Sequence, residues 1–165
     1  MTDWANQSIE ERSLLNPAFC IGLLWQAARG YVSISSRGLS FEESFLVLPM
    51  VLAQQTREVL PNSTRTSIAV WLNDNPLEQS RIATRAKLLV PFSKQALLFG
   101  GIYGLIRIDS GVVVANNQWK RPVDAFLKSS SDEVRNCWKR SEFVGKWFAL
   151  SGSSETLLAM LGVRP

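Results

Sequence analysis

The segment from Phe45 to Ala53 is apolar at all nine positions, and it constrains the fold more than any other stretch of the chain. Ser40 and Glu43 stand ahead of it at the spacing of a capping box, in which the serine side chain accepts from the third helical N–H and the glutamate reaches back to the serine N–H. The pattern predicts a helix from Ser40 to about Leu60, kinked at Pro49. A helix that is apolar all round must be covered all round, so this one is expected to form the centre of a core. Nine residues fall well short of the roughly 18 that a membrane span needs.

The punctuation elsewhere is mostly helical. Ser8 and Glu11 give a second capping box for a short first helix, and Asn16-Pro17 opens another helix with an N-cap residue followed by proline. That helix is expected to end at Gly30, with a loop over 31–39. Shorter helices are predicted near 64–73 and from Asn75-Pro76 to Val90. Pro91 is read as a break and Ser93 as a fresh cap, with a helix over Lys94–Tyr103. Leu105 to Ala115 then changes period: two β-prone runs flank Asp109-Ser110-Gly111, which reads as a hairpin. Helices near 123–128, 132–150 and 154–161 follow, the last stopped by Gly162.

These elements predict a mainly α fold, a compact helical domain with a winged-helix-like unit made of three helices plus one β-hairpin. Length predicts one domain over 1–165. Within it, 1–62 is the N-terminal helical core half, 63–118 the winged-helix-like unit and 119–165 the C-terminal helices. Val90-Pro91-Phe92-Ser93 would be the turn of a helix-turn-helix and the hairpin its wing.

Charge is unevenly divided. Residues 1–80 carry five basic and eight acidic groups, whereas 81–165 carry thirteen basic and six acidic ones. A basic half suits nucleic acid or an acidic partner, and equally a solvated surface. The helix in the recognition position presents only Lys94 and Gln95 as base-reading groups, which is too thin a set for sequence-specific readout. Nonspecific phosphate contact is the stronger form of the DNA reading, with Arg81, Arg85, Lys87, Lys94, Arg107, Lys120 and Arg121 as the contacts. The competing use of the unit is protein docking.

In the helix 132–150, Val134, Cys137, Trp138, Ser141, Val144, Gly145 and Phe148 share one face. Ser141 and Gly145, four apart, admit close approach of a second helix. Phe143 and Trp147 fall instead among Arg135, Lys139, Arg140, Glu142 and Lys146. Aromatics among charges mark either a partner surface or a site covered by a following segment such as 154–161. The candidate partner interface comprises Arg65, Trp71, Lys139, Arg140, Phe143, Lys146 and Trp147.

No histidine is present, so Ser-His-Asp and Cys-His catalysis and histidine metal ligation are excluded. Cys20 and Cys137 read as buried thiols in a reducing compartment. The acidic pairs Glu10-Glu11, Glu42-Glu43 and Asp132-Glu133 sit in first helical turns, where they complement the helix dipole. Phe99 to Gly104 is glycine-rich but lies between a helix and a strand, the reverse of a dinucleotide fingerprint. The expectation is a protein with no catalytic residues, no metal and no cofactor. Met1-Thr2-Asp3-Trp4 does not resemble a signal peptide, so the expected location is the cytoplasm.

Several segments together carry a family resemblance: Ser13-Leu14-Leu15-Asn16-Pro17-Ala18-Phe19, Phe41 to Pro49, Leu60-Pro61-Asn62-Ser63-Thr64-Arg65-Thr66, Leu98-Phe99-Gly100-Gly101, Glu142 to Ala149, and Leu161-Gly162-Val163-Arg164-Pro165. In this order they resemble the middle component of bacterial three-component ABC-ATPase conflict systems, to which Lamassu-type anti-phage systems are related. The resemblance implies a non-enzymatic subunit of an SMC-like ABC ATPase complex. Its implied partners are that coiled-coil ATPase, a nuclease-type effector and DNA engaged by the complex, without a membrane. The alternative reading is a stand-alone winged-helix regulator that binds DNA.

Overall fold

The computed structural model describes residue 13 and residues 15–164; the expected capping box at Ser8 and Glu11 lies outside them. Helix α1 (Pro17–Val32) begins where Asn16 accepts from the Ala18 N–H at 2.8 Å, with proline in the first turn. It continues through Gly30 and ends two residues later. Eleven of its sixteen residues are buried. It packs chiefly against α7 (Asp132–Ala149) and also against α5 (Pro76–Ile102), α2 (Phe41–Val51) and the sheet. The central helix is therefore α1, with the apolar α2 beside it.

The α1–α7 crossing is tight because glycines remove side chains from it. A Cβ on Gly145 would lie 2.0 Å from the Ala27 carbonyl oxygen, and one on Gly30 would lie 2.4 Å from that of Glu142. Ser141 and Gly145 thus admit a second helix, as their spacing predicts, and that helix is α1. Cys137, Trp138, Val144 and Phe148 are buried with them.

The capping box ahead of α2 is complete, with Ser40 accepting from the Glu43 N–H and Glu43 from the Ser40 N–H. The predicted long helix is divided: α2 stops at Val51, and α3 (Gln54–Val59) starts after a break at Leu52-Ala53. Pro49 removes one helical donor near the end of α2. The carbonyls left open where the helix ends are taken by side chains. Arg57 donates to the Val51 and Leu52 oxygens at 2.6 and 3.1 Å, and Arg85 donates to that of Pro49 at 2.6 Å.

Helix α4 (Ile68–Asp74) follows, capped by Ser67. The predicted turn at Val90–Ser93 does not exist. α5 is one helix of 27 residues that runs straight through Pro91, so it offers no separate recognition helix. The physical reason is the side on which the proline falls. Pro91 is exposed, and so is Lys87, the residue whose carbonyl loses its helical donor to the proline.

β2 (Ile106–Asp109) and β3 (Val112–Ala115) form the predicted hairpin. Its two-residue turn, Ser110-Gly111, has φ of 51° and 76°, the left-handed pair that matches strand twist. A third strand was hidden in the predicted loop: β1 (Leu39–Ser40) pairs antiparallel with β3, giving the order β1-β3-β2. β2 is consequently an edge. After a 3₁₀ turn at Asn117–Trp119 come α6 (Lys120–Lys128), then α7 capped by Ser131, and α8 (Ser154–Met160) capped by Ser153. Gly162, at φ 69°, turns the chain out of α8. The architecture is mainly α with one small antiparallel sheet. No helix among the described residues is long and apolar enough to cross a membrane.

Candidate interaction surface

The predicted partner face divides into buried and exposed parts. Trp147 is 1% exposed and Trp71 is 3% exposed. Their rings meet edge to face at 5.4 Å, and each indole N–H donates to a backbone carbonyl, that of Thr66 for Trp147 and that of Val59 for Trp71, both at 2.7 Å. Both are core residues, which corrects their placement on a surface. Thr66 in the loop before α4 and Trp71 on α4 both contact Trp147. Phe143 stacks at 5.5 Å on Trp147 and lies beneath Arg140, whose guanidinium is 4.4 Å from the ring centroid. Arg140 also donates to the Pro61 carbonyl at 2.9 Å, and burial lowers its pKa. Lys146 pairs with Glu142 at 2.7 Å. Arg65 and Lys139 are exposed.

The predicted phosphate contacts divide in the same way. Arg85 is turned inward: besides the Pro49 carbonyl it donates to Thr56 Oγ1 at 2.6 Å, and burial depresses its pKa. Thr56 in turn donates to the buried Glu78 at 2.6 Å, and Glu78 pairs with Arg81 at 2.7 Å. This network joins α2, α3 and α5 and removes Arg85 from the surface set, because its donors are committed to internal acceptors. Arg81 keeps a partly exposed side chain. Arg107 pairs with Asp109 across two residues of β2 at 2.6 Å. Lys87, Lys94, Lys120 and Arg121 are exposed. Lys87 and Lys94 share with Arg164 and the acid Glu42 the charged lining of a groove of about 320 Å³ between α2, α5 and α8, which also holds Phe41, Phe45, Val90 and Leu158. Sequence reasoning passed over Arg164, since only the chain's return beside α5 brings it to these lysines.

Exposed apolar side chains gather at the other end of α5. Leu98 is 66% exposed, Ile102 69%, and Ile108 on the neighbouring edge strand 50%. With Leu97, Gly101, Ile106 and Arg107 they line a groove of about 380 Å³ between α5 and β2. Together they form an exposed apolar patch, a candidate interaction surface. Its lining is apolar except for Arg107, which is paired with Asp109. It holds no clustered acids, and among the described residues no group of three or more His, Cys, Asp or Glu side chains comes together to hold a metal.

Comparison with protein families matches residues 4–165 to the family described as "ABC-three component (ABC-3C) system Middle Component 3". The chain belongs to this family. A middle component is one subunit of a multi-component ABC system, so accessory partner surfaces are the features to expect on it. Comparisons with curated proteins and with solved structures return no match.

Proposed function

We propose that this middle component is a non-enzymatic assembly and regulatory subunit of an SMC-like ABC ATPase complex that defends bacteria against phage, of the Lamassu-related kind. In this reading it bridges the coiled-coil ATPase and a nuclease-type effector in the cytoplasm. The observation that carries the reading is the family match across residues 4–165. The lack of histidine supports a subunit whose chemistry resides in its partners. So does the exposed apolar patch beside Lys94 and Arg107, which offers contact area to other subunits and no reactive group. DNA is engaged by the assembled complex. Lys87, Lys94, Lys120 and Arg121 are the residues available for direct, nonspecific phosphate contact.

The test is phage challenge of cells carrying all components of the system, with this chain present, deleted, or restored from a second plasmid. The reading expects protection that disappears on deletion and returns on restoration. Equal protection without the chain contradicts it.

A further inference from the structure

On α5, Thr84, Leu88, Pro91, Gln95, Leu98 and Ile102 follow one another at alternating steps of four and three, and all six are exposed. That is the seam spacing of a helix that lies along another helix. α5 contains one carboxylate, Glu78, and it is 2% exposed. The exposed charged side chains of α5 itself are therefore cations, and Glu42 of α2 is the one acid lining the groove beside Lys87 and Lys94. Lys87 and Lys94 stand one heptad apart on the same flank of the seam. Gly101 continues their row, and a Cβ there would meet nothing within 4 Å. A helical glycine costs about 0.5–1 kcal/mol relative to alanine, and no neighbour within the chain requires it. Its bare backbone floors the groove between Leu98 and Ile102 on α5 and Ile108 on β2.

We propose that this face of α5 is a docking seam for an amphipathic helix of a partner subunit that carries an acidic flank. The apolar stripe of that helix packs on Leu88, Leu98 and Ile102, with one side chain entering the groove over Gly101. Its carboxylates face Lys87 and Lys94. The border is predominantly cationic, with Lys87, Lys94 and Arg164 against the single acid Glu42; it selects an acidic partner and disfavours a second copy of this chain, which would bring the lysine pairs together along the seam. The inference rests on the reading of the chain as an assembly subunit, and it adds where that assembly is made and what recognises it.

The experiment is co-expression of the complete system with an affinity tag on each of the other two components in turn. Wild type is compared with Leu98→Asp/Ile102→Asp and with Lys87→Glu/Lys94→Glu. The wild-type chain is expected to co-purify with one component and to weaken as salt rises. Each double variant is expected to lose at least about tenfold in apparent affinity while keeping the wild-type circular dichroism spectrum. Should the aspartates disturb the fold, Leu98→Ser/Ile102→Ser and slowed amide exchange over residues 84–108 of the wild-type complex provide the same reading. Undiminished binding by both double variants overturns the seam. Charge reversal that leaves binding unchanged or tightens it overturns the acidic partner. Self-association of the isolated chain that Leu98→Asp/Ile102→Asp abolishes makes a second copy the occupant, and overturns the proposal too. A wild-type chain that co-purifies with neither component overturns the assembly reading itself.

Discussion

Arg85 on α5 donates a hydrogen bond of 2.6 Å to the carbonyl oxygen of Pro49 on α2, and so closes the end of a helix that its own backbone cannot close. The same guanidinium holds Thr56 Oγ1 at 2.6 Å and lies 3.8 Å from Glu78. Substituting Arg85→Met removes this donor from the Pro49 carbonyl and Thr56 Oγ1, at a cost of about 2 kcal/mol. Lys87→Met, two residues on and exposed, is expected to change stability by less than about 0.5 kcal/mol. Urea unfolding of the two variants checks the contrast, and equal stabilities would show that the arginine does not cap α2.

Trp147 fills the space between α7, α4 and the loop before α4. Trp147→Ala is expected to cost about 3–5 kcal/mol through the cavity it leaves. Trp147→Phe should recover part of that loss while leaving the Thr66 carbonyl without its indole donor. Thermal unfolding gives the order wild type, Phe, Ala; an alanine variant as stable as wild type would return Trp147 to the surface.

Two glycines make a prediction of opposite sign. A methyl group on Gly145 would stand 2.0 Å from the Ala27 carbonyl oxygen, whereas one on Gly101 would meet nothing. Gly145→Ala should therefore destabilise by about 3 kcal/mol, because only separating α1 from α7 relieves the clash. Gly101→Ala should stabilise the isolated chain by about 0.5–1 kcal/mol. Unfolding midpoints that move in the same direction for both would contradict the close α1–α7 crossing.

Burial pushes the Cys20 thiol up to about 12 and raises that of Cys137. In the unfolded chain a thiol ionises near pH ~8.5. Between these values the unfolded chain has shed a proton that the folded chain keeps, so stability falls as pH rises. Below ~8.5 the contribution is complete. Unfolding free energies measured across this alkaline range should slope downward, and Cys20→Ala should flatten the slope. An unchanged slope would place the effect in other groups.

The local signals that named the helix starts were legible in the sequence. Asn16, Ser40 and Gly162 act where their chemistry says they should, and the hairpin stands where the period changes. The spacing of Ser141 and Gly145 announced a close helix neighbour, though not that α1 would be that neighbour. What misled was chemistry whose outcome depends on the side it faces. A proline disrupts a helix most where the carbonyl it frees has no other partner, but Pro91 and Lys87 are both exposed on α5 and the helix continues. Once α5 is continuous, the four-and-three spacing from Thr84 to Ile102 becomes visible; split at Pro91 it vanishes. Trp147 and Arg85 failed for a related reason. Each lies among charges in the sequence, and only the return of a distant segment, residues 66–71 for one and Pro49 with Thr56 for the other, turns it into an internal group. β1 is two residues long and exists because β3 offers it an edge, so its own composition carries no strand pattern.

In the proposed function this middle component joins two other subunits. The most direct measurement is purification of the ABC ATPase component through a tag, from cells that express the whole system and from cells that lack only this chain, followed by the mass of the eluted complex. The effector and this chain are expected to elute together with the ATPase, and the effector to be lost when this chain is omitted. An effector that elutes with the ATPase equally well in its absence would contradict it.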